Sequence, residues 1–147
     1  MSYDQSLKDE CDSLDLDVLY YRNILNDNAN HYIDLLNSEV SWQQEYYQMF
    51  GRRVKAPRKV AWYADIGVNY QYSGLTHHAI PWLPCLLELK SLVEKMTNAS
   101  FNSVLLNLYR HGQDSMGWHS DDEPELGNEP LIVSLSLGGV RLSLIHI

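Results

Sequence analysis

The chain contains little cysteine, no long apolar run and few basic residues. Its two cysteines, Cys11 and Cys85, are too few for a disulfide scaffold or a cysteine-based zinc site. This favours a reducing compartment, and we expect the cytoplasm, or the nucleus in a eukaryote. No apolar run approaches the ~20 residues that cross a bilayer, and the acidic N-terminus lacks the apolar core of a secretory signal. We therefore expect a soluble globular protein with no membrane partner.

Positive charge is scarce but concentrated. The net charge of -8 argues against a uniformly basic nucleic-acid-binding protein. The segment "GRRVKAPRK" nevertheless lies in a stretch without any acidic residue between Glu45 and Asp65. It fits either a solvated loop or a strip that contacts phosphates. The candidates for contact with a nucleic-acid backbone are Arg52, Arg53, Lys55, Arg58 and Lys59.

Two segments carry helix signals. "NDNANHYIDLLNSEV" opens with Asn26 and Asp27, either of which can cap a helix, and repeats its apolar residues on one stripe. "PWLPCLLELKSLVEKMTN" starts with proline and also spaces its apolar residues in helical fashion. Residues 1–15 show no such pattern, and we predict a flexible acidic tail there.

Four segments carry strand signals. "DVLYYRNIL" predicts a short strand, and "VAWYADIGVNYQYSGL" predicts a hairpin or two short strands. "FNSVLLNLYRHG" and "PLIVSLSLGGVRLSLI" alternate along their length, and the glycine pair in the latter suggests a bulge or sharp turn. Helices followed by antiparallel-looking strands indicate a β-sandwich or jelly roll with helical support.

The acidic segment "GWHSDDEPELG" holds a candidate pair of metal ligands. Side chains two residues apart on a strand point to the same face, so His119 and Asp121 can present an imidazole and a carboxylate to one ion. Such a pair is two thirds of the facial triad of two histidines and one carboxylate that holds Fe(II). From these residues alone, an acidic solvated turn is an equally open interpretation.

Longer stretches around this pair resemble a known family. The stretches are "APRKVAWYADIGVNYQYSG", "PWLPCLLELKSLVEKMTNASFNSVLLNLYRHGQDSMGWHSDDEPELG" and "PLIVSLSLGGVR", which together span roughly residues 56–141. They resemble the AlkB family of Fe(II)/2-oxoglutarate-dependent dioxygenases, in particular its members of the DNA-repair type. The order and spacing of the motifs make the resemblance specific.

The resemblance implies a cofactor set and a role for individual residues. Fe(II), 2-oxoglutarate and O₂ are implied, with His119 and Asp121 as iron ligands. Asn107 and Tyr109 are implied to hydrogen-bond 2-oxoglutarate. Contacts with the substrate base are implied for Tyr70, Tyr72, Ser73, Asp122 and Glu123.

The implied activity is oxidative demethylation of alkylated bases, of the 1-methyladenine and 3-methylcytosine type, coupled to decarboxylation of 2-oxoglutarate. Such bases carry positive charge, so an aromatic face attracts them and neighbouring carboxylates favour them over the neutral base. A monomer acting on alkylated DNA, or RNA, is expected. The alternatives are a related hydroxylase acting on RNA, protein or a small molecule, and a non-catalytic jelly-roll fragment. Tyr70 and Tyr72 could also be ordinary strand aromatics, and Asn107 could simply satisfy buried backbone groups.

The resemblance further implies a double-stranded β-helix, or jelly roll, with N-terminal supporting helices, incomplete at its C-terminus. Residues 16–141 would be the N-terminal part of one dioxygenase domain, because the family's second iron-binding histidine and its 2-oxoglutarate-binding arginines come later. We interpret residues 142–147, "LSLIHI", as a non-native tail, since they can be back-translated to a transposon end used in sequencing libraries.

Loss of the later strands would expose unpaired edges and leave the co-substrate without its main salt bridge. We therefore predict that the 147-residue chain folds poorly and has little or no activity. Assaying formaldehyde release with and without a restored family-like C-terminus checks this, and robust turnover by the 147-residue chain itself would refute it.

Overall fold

The computed structural model describes residues 3–13, 16–72, 75–78, 80–119, 121 and 130–144. Over these residues the fold is α+β, with helices and small antiparallel sheets. The helices are α1 (Gln5–Ser13), α2 (Ala29–Glu39, preceded by a 3-10 turn at Asn26–Asn28) and α3 (Pro84–Thr97). The strands are β1 (Tyr46–Met49), β2 (Arg52–Lys55), β3 (Lys59–Ala64), β4 (Asn69–Tyr72), β5 (Leu75–His78) and β6 (Ser103–Leu108). Within the described ranges, no helix is long and apolar enough to span a membrane.

The chain divides into two compact units. One consists of Met1–Leu36 together with Leu135–Ile147, and the other is Asn37–Ser134. The second unit holds all six strands and every residue that the sequence nominates for a site.

Strand β3 is the most buried element of the second unit. It pairs with β6 over six antiparallel positions, from Lys59 opposite Leu108 to Ala64 opposite Ser103. Residues 60–64 are all buried, and the Tyr63 hydroxyl accepts a hydrogen bond of 3.0 Å from the Ser41 backbone N–H. Strand β6 thus confirms the strand predicted in "FNSVLLNLYRHG", and β3 confirms the first of the two short strands predicted in "VAWYADIGVNYQYSGL".

Helix α3 confirms the predicted helix and shows why it forms. Pro84 occupies its first turn, where a missing N–H costs nothing. Cys85, Leu86 and Leu89 turn inward and are buried. The helix ends at Asn98, which adopts the left-handed conformation (φ 53°) common at helix C-termini.

Two hairpins complete the second unit. Strands β4 and β5 pair from Asn69 opposite His78 to Tyr72 opposite Leu75. Strand β4 is the second of the two short strands predicted in "VAWYADIGVNYQYSGL", but it pairs with β5 and not with β3, so the alternative of a hairpin within that segment is wrong. Strands β1 and β2 pair from Tyr46 opposite Lys55 to Met49 opposite Arg52. Residues 52–55 of the basic segment thus form a strand and not a solvated loop, while a strip that contacts phosphates stays a prediction.

The N-terminal predictions are partly wrong. Within the predicted flexible tail, residues 5–13 form α1, where Asp4 accepts a hydrogen bond from the Leu7 N–H at 3.2 Å. The strand predicted over residues 17–25 is absent from the described structure. Asn23 adopts a positive φ of 52°, a left-handed conformation that interrupts an extended strand. The helix that follows was predicted correctly.

The strand predicted in "PLIVSLSLGGVRLSLI" is also wrong for the described residues. None of residues 130–144 is assigned to a strand, and Leu131, Ile132 and Val133 are exposed. Alternation favours a strand only when a neighbouring edge supplies hydrogen-bond partners. In the described part of the chain, the strand pairs are β1 with β2, β3 with β6 and β4 with β5, and none of them includes residues 130–144. The turn suggested by the glycine pair does occur, since Gly138 has a φ of 86°.

Candidate metal centre and its surroundings

The predicted ligand pair His119 and Asp121 is brought together. His119 Nε2 lies 3.6 Å from Asp121 Oδ1, too far for a strong hydrogen bond and close enough for one cation to contact both atoms. Both side chains are about half exposed, so an ion and its further ligands can approach.

The orientation of the His119 ring is set by a hydrogen bond. Its Nδ1 lies 2.9 Å from the Gly117 carbonyl oxygen. Because a carbonyl oxygen only accepts hydrogen bonds, Nδ1 is the donor, and Nε2 is the ring nitrogen that faces Asp121. Proteins usually orient a metal-binding histidine in this way, by a hydrogen bond to a backbone carbonyl from the ring nitrogen that does not bind the metal.

The donor set fits part of an iron site. One imidazole nitrogen and one carboxylate oxygen are two of the three ligands of the facial triad. Among the residues that the structure describes, no group of three or more histidine, cysteine or acidic side chains could hold a metal. The described residues therefore supply a ligand pair and not a full set.

The two residues expected to bind 2-oxoglutarate lie at the end of β6. Asn107 is on the strand and faces Val60 across the ladder, and Tyr109 follows one residue after the strand ends. The Asn107 side-chain oxygen is buried and has no hydrogen-bond partner among the described residues. Burying a polar atom without a hydrogen-bond partner costs free energy, so a ligand with a hydrogen-bond donor at this position would be stabilised.

An ion pair with a buried carboxylate and a partly exposed guanidinium occupies the turn between β6 and His119. Asp114 is 2% exposed, and its carboxylate accepts bonds from Arg110 Nε at 2.7 Å and Arg110 Nη2 at 2.9 Å. The Arg110 backbone N–H donates to the same carboxylate. The hydrogen bonds from the Arg110 side chain are the main cause that holds the pKa of Asp114 well below its usual range. The sequence analysis did not single out this pair.

Four of the five residues predicted to contact a nucleic-acid backbone are exposed or half-buried. Arg52, Arg53 and Lys55 are exposed on β2, and Lys59 is half-buried at the start of β3. The Arg53 guanidinium lies 4.0 Å from the centre of the Tyr46 ring, an arrangement in which a cation is attracted to an aromatic face.

The fifth residue, Arg58, does not belong to this exposed set, contrary to the prediction. It is 4% exposed, and its Nη2 donates to the Tyr47 hydroxyl at 3.0 Å. That hydroxyl in turn donates to Glu45 Oε2 at 3.0 Å. A guanidinium held inside in this way does not reach a phosphate, so position in a basic run did not predict exposure.

The hairpin of residues 46–55, here called the basic hairpin, carries a second feature that the sequence analysis missed. Phe50 and Gly51 form its two-residue turn with φ values of 49° and 73°. Positive φ at both positions belongs to the type I′ turn, where glycine and asparagine are common and phenylalanine is rare. The Phe50 ring is fully exposed. In the sequence, the available signal for this hairpin was Gly51, which lies between the segments that form β1 and β2.

The expected substrate residues are only partly within the described structure. Tyr70 and Tyr72 lie two residues apart on β4, opposite His77 and Leu75 respectively. Ser73, Asp122 and Glu123 lie outside the described residues.

Comparison with known proteins places this arrangement in a family. A family model described as "2OG-Fe(II) oxygenase superfamily" matches residues 17–142. The bovine protein named "Alpha-ketoglutarate-dependent dioxygenase alkB homolog 3" is 44% identical over 115 residues, which cover 78% of this chain and 40% of that protein. Its human counterpart is 42% identical over 114 residues, covering 77% of this chain and 39% of that protein. The human "DNA oxidative demethylase ALKBH2" is 39% identical over 115 residues, covering 74% of this chain and 44% of that protein.

The chain therefore belongs to the 2OG-Fe(II) oxygenase superfamily and, within it, to the AlkB family. This confirms the family that the sequence motifs indicated, and the superfamily implies a jelly-roll fold. The chain spans less than half the length of the curated relatives it matches.

The Asp114 pair predicts a pH dependence of stability. The pKa of Asp114 is lower in the folded protein than the ordinary value of about 3.9, so the unfolded chain takes up the proton first as the pH falls. The stabilisation is therefore fully present above about pH 4 and is lost below it. In urea unfolding between pH 2 and pH 7, the stability difference between the wild-type protein and Asp114→Asn should stay constant above about pH 5 and shrink below pH 4. A difference that stays constant down to pH 2 would contradict the assignment.

Proposed function

We propose that the protein containing this chain is an Fe(II)- and 2-oxoglutarate-dependent dioxygenase that demethylates alkylated nucleic-acid bases. The observation that carries the proposal is the pairing of His119 Nε2 with Asp121 Oδ1 at 3.6 Å, with the ring oriented by Gly117. The names of the relatives, which include DNA oxidative demethylases, support the reaction and the substrate class. We further propose that β3 and β6 are two strands of a double-stranded β-helix.

His119 and Asp121 would hold the iron. When bound, Fe(II) and 2-oxoglutarate supply the oxidation by O₂ of an N-methyl group to a hydroxymethyl group, which leaves as formaldehyde and restores the base. The carboxylate of Asp121 would contribute negative charge to a divalent cation, and His119 would bind it through the lone pair of Nε2.

Asn107 and Tyr109 would position the co-substrate. The side-chain amide of Asn107 offers both a donor and an acceptor, and its oxygen is buried without a partner among the described residues. A carboxylate or hydroxyl group held there would complete the hydrogen bonding of a group that is otherwise costly to bury. Tyr109, half-buried just beyond the strand, would add a phenolic hydroxyl on the same side of the chain.

The substrate would be a cationic methylated base flipped out of its stack. An aromatic face at Tyr70 or Tyr72 and the carboxylates of Asp122 and Glu123 would select the positive charge of 1-methyladenine or 3-methylcytosine over the neutral parent base. Ser73 would line the same segment. Support for these five roles comes from the family resemblance, and both DNA and RNA fit this chemistry.

The basic hairpin would bind the nucleic-acid strand itself. The exposed cations Arg52, Arg53 and Lys55 suit phosphates, which attract them whatever the sequence. Phe50, fully exposed at the tip, suits contact with a base, since aromatic and apolar side chains stack on or insert between bases. Its unusual backbone conformation is the kind of local strain that clusters at functional positions.

Replacing either ligand should abolish metal-dependent activity. In His119→Ala and Asp121→Asn, we expect Co(II) affinity to fall by at least about 100-fold, because each variant removes one of the two proposed metal ligands. Formaldehyde release from an oligonucleotide containing 1-methyladenine should fall by at least about the same factor. His31→Ala, which removes an exposed histidine from α2 in the other unit, is the control. Formaldehyde release that survives loss of His119, or that requires His31 equally, would refute the proposal. Peptides and free nucleosides assayed in parallel test the alternative substrates.

The basic hairpin predicts separable effects on binding. Phe50→Ala should weaken binding of a methylated oligonucleotide by about 1–3 kcal/mol with little change in its salt dependence. Arg52→Ala and Lys55→Ala should each lower the slope of log K against log salt by about 0.7–0.9. Lys95→Ala, at an exposed position on α3, is the control. Equal salt slopes for the hairpin variants and Lys95→Ala would show that the hairpin makes no phosphate contact.

A further inference from the structure

The turn from β6 to His119 is fastened to a second, distant part of the chain. Besides its bonds to Asp114, Arg110 donates from Nη1 to Gln44 Oε1 at 3.2 Å. The Gln44 amide nitrogen in turn donates to the carbonyl oxygens of Ala56 at 2.9 Å and Arg58 at 3.2 Å. We call the side chains of Arg110, Asp114 and Gln44 the clasp.

We propose that the clasp is a positioning device that holds the His119–Asp121 pair in place relative to the co-substrate residues on β6. This rests on the proposed function of that pair. None of the clasp residues is itself a proposed ligand, so each would act through His119 and Asp121.

The first argument is the direct path from the clasp to the ligand. Immediately after Asp114, the Ser115 backbone N–H donates to the Pro57 carbonyl oxygen at 2.8 Å. Two residues further, the Gly117 carbonyl accepts the bond from His119 Nδ1 at 2.9 Å. The orientation of the ring thus depends on where Gly117 lies, and the hydrogen bonds of Ser115 and of the clasp fix the chain two and three residues before it.

The second argument is the quality of the ion pair. The Asp114 side chain is 3% exposed, and it is held by two parallel bonds from one guanidinium and by the Arg110 backbone N–H. Bidentate pairs fix geometry as well as charge. The Arg110 side chain is 29% exposed, but the burial of the carboxylate reduces the screening of the pair by salt. Ion pairs between two exposed side chains contribute little, and this pair differs from them in its buried carboxylate and its three donors.

The third argument is the position of Arg110 itself. It follows Tyr109 directly and comes three residues after Asn107, the residues proposed to bind 2-oxoglutarate. A single residue thus joins the co-substrate strand, through Asp114, to the turn that leads to the metal ligands. Supporting contacts of this kind commonly change metal affinity or activity by 10–100-fold in metalloenzymes.

The test compares four forms of the protein: wild type, Arg110→Lys, Asp114→Asn and Asp65→Asn. Arg110→Lys keeps the charge but loses the bidentate geometry, so it remains informative if Asp114→Asn fails to fold. Asp65→Asn is the matched control, because Asp65 also accepts from two side chains, Trp82 Nε1 at 2.8 Å and Lys90 Nζ at 3.5 Å. Backbone hydrogen exchange of residues 115–119 is measured without metal, and Co(II) affinity and the visible Co(II) spectrum are measured well below the melting temperature.

We expect Arg110→Lys and Asp114→Asn to speed exchange in residues 115–119, to weaken Co(II) binding by about 10-fold or more and to alter the Co(II) spectrum. Asp65→Asn should change none of the three, even where its melting temperature falls. A lower melting temperature with unchanged exchange and spectrum in the clasp variants would overturn the proposal, as would an equal effect of Asp65→Asn. If the wild-type protein binds no Co(II), the proposed function fails, and the exchange data still decide whether the clasp orders the turn.

Discussion

The antiparallel pairing of β3 with β6 is the constraint on which the candidate site depends. It joins the most buried strand of the second unit to the strand that carries Asn107. Tyr63 and Ala64 extend the contact of β3 to Ser41 and Ile80, so neither strand can slide without breaking several backbone bonds. Because a shift of one residue would turn every side chain to the other face, the burial of β3 also fixes which way Asn107 faces. The turn that follows then determines where His119 and Asp121 come to lie.

Those parts of the structure that local chemistry determines could be predicted from the sequence. Helix α3 follows from a proline in its first turn and regularly spaced apolar residues, and β6 follows from alternation. The spacing of His119 and Asp121 predicted that their side chains could meet, and they do, although neither residue lies on a strand of the described structure. The family could be recognised because its motifs combine residues with definite chemical roles in a fixed order.

The remainder depended on contacts that no local pattern reveals. Arg58 belongs to a basic run but is buried, and the Tyr47 hydroxyl accepts a hydrogen bond from its Nη2 inside the protein. Arg110 and Asp114 were overlooked because their importance lies in a contact with Gln44, far away in sequence. In residues 130–144 the alternation predicted a strand that the structure does not have. A strand needs a paired edge as well as an alternating pattern, and the pattern alone does not show whether that edge exists.

The central claim is that His119 and Asp121 together hold a divalent cation. The most direct measurement is anomalous X-ray scattering from crystals of the protein soaked with Mn(II) and 2-oxoglutarate. The account predicts a metal peak within bonding distance of both His119 Nε2 and Asp121 Oδ1, with Nδ1 still hydrogen-bonded to Gly117. A metal bound elsewhere, or bound through Nδ1 with the ring turned away from Asp121, would contradict it.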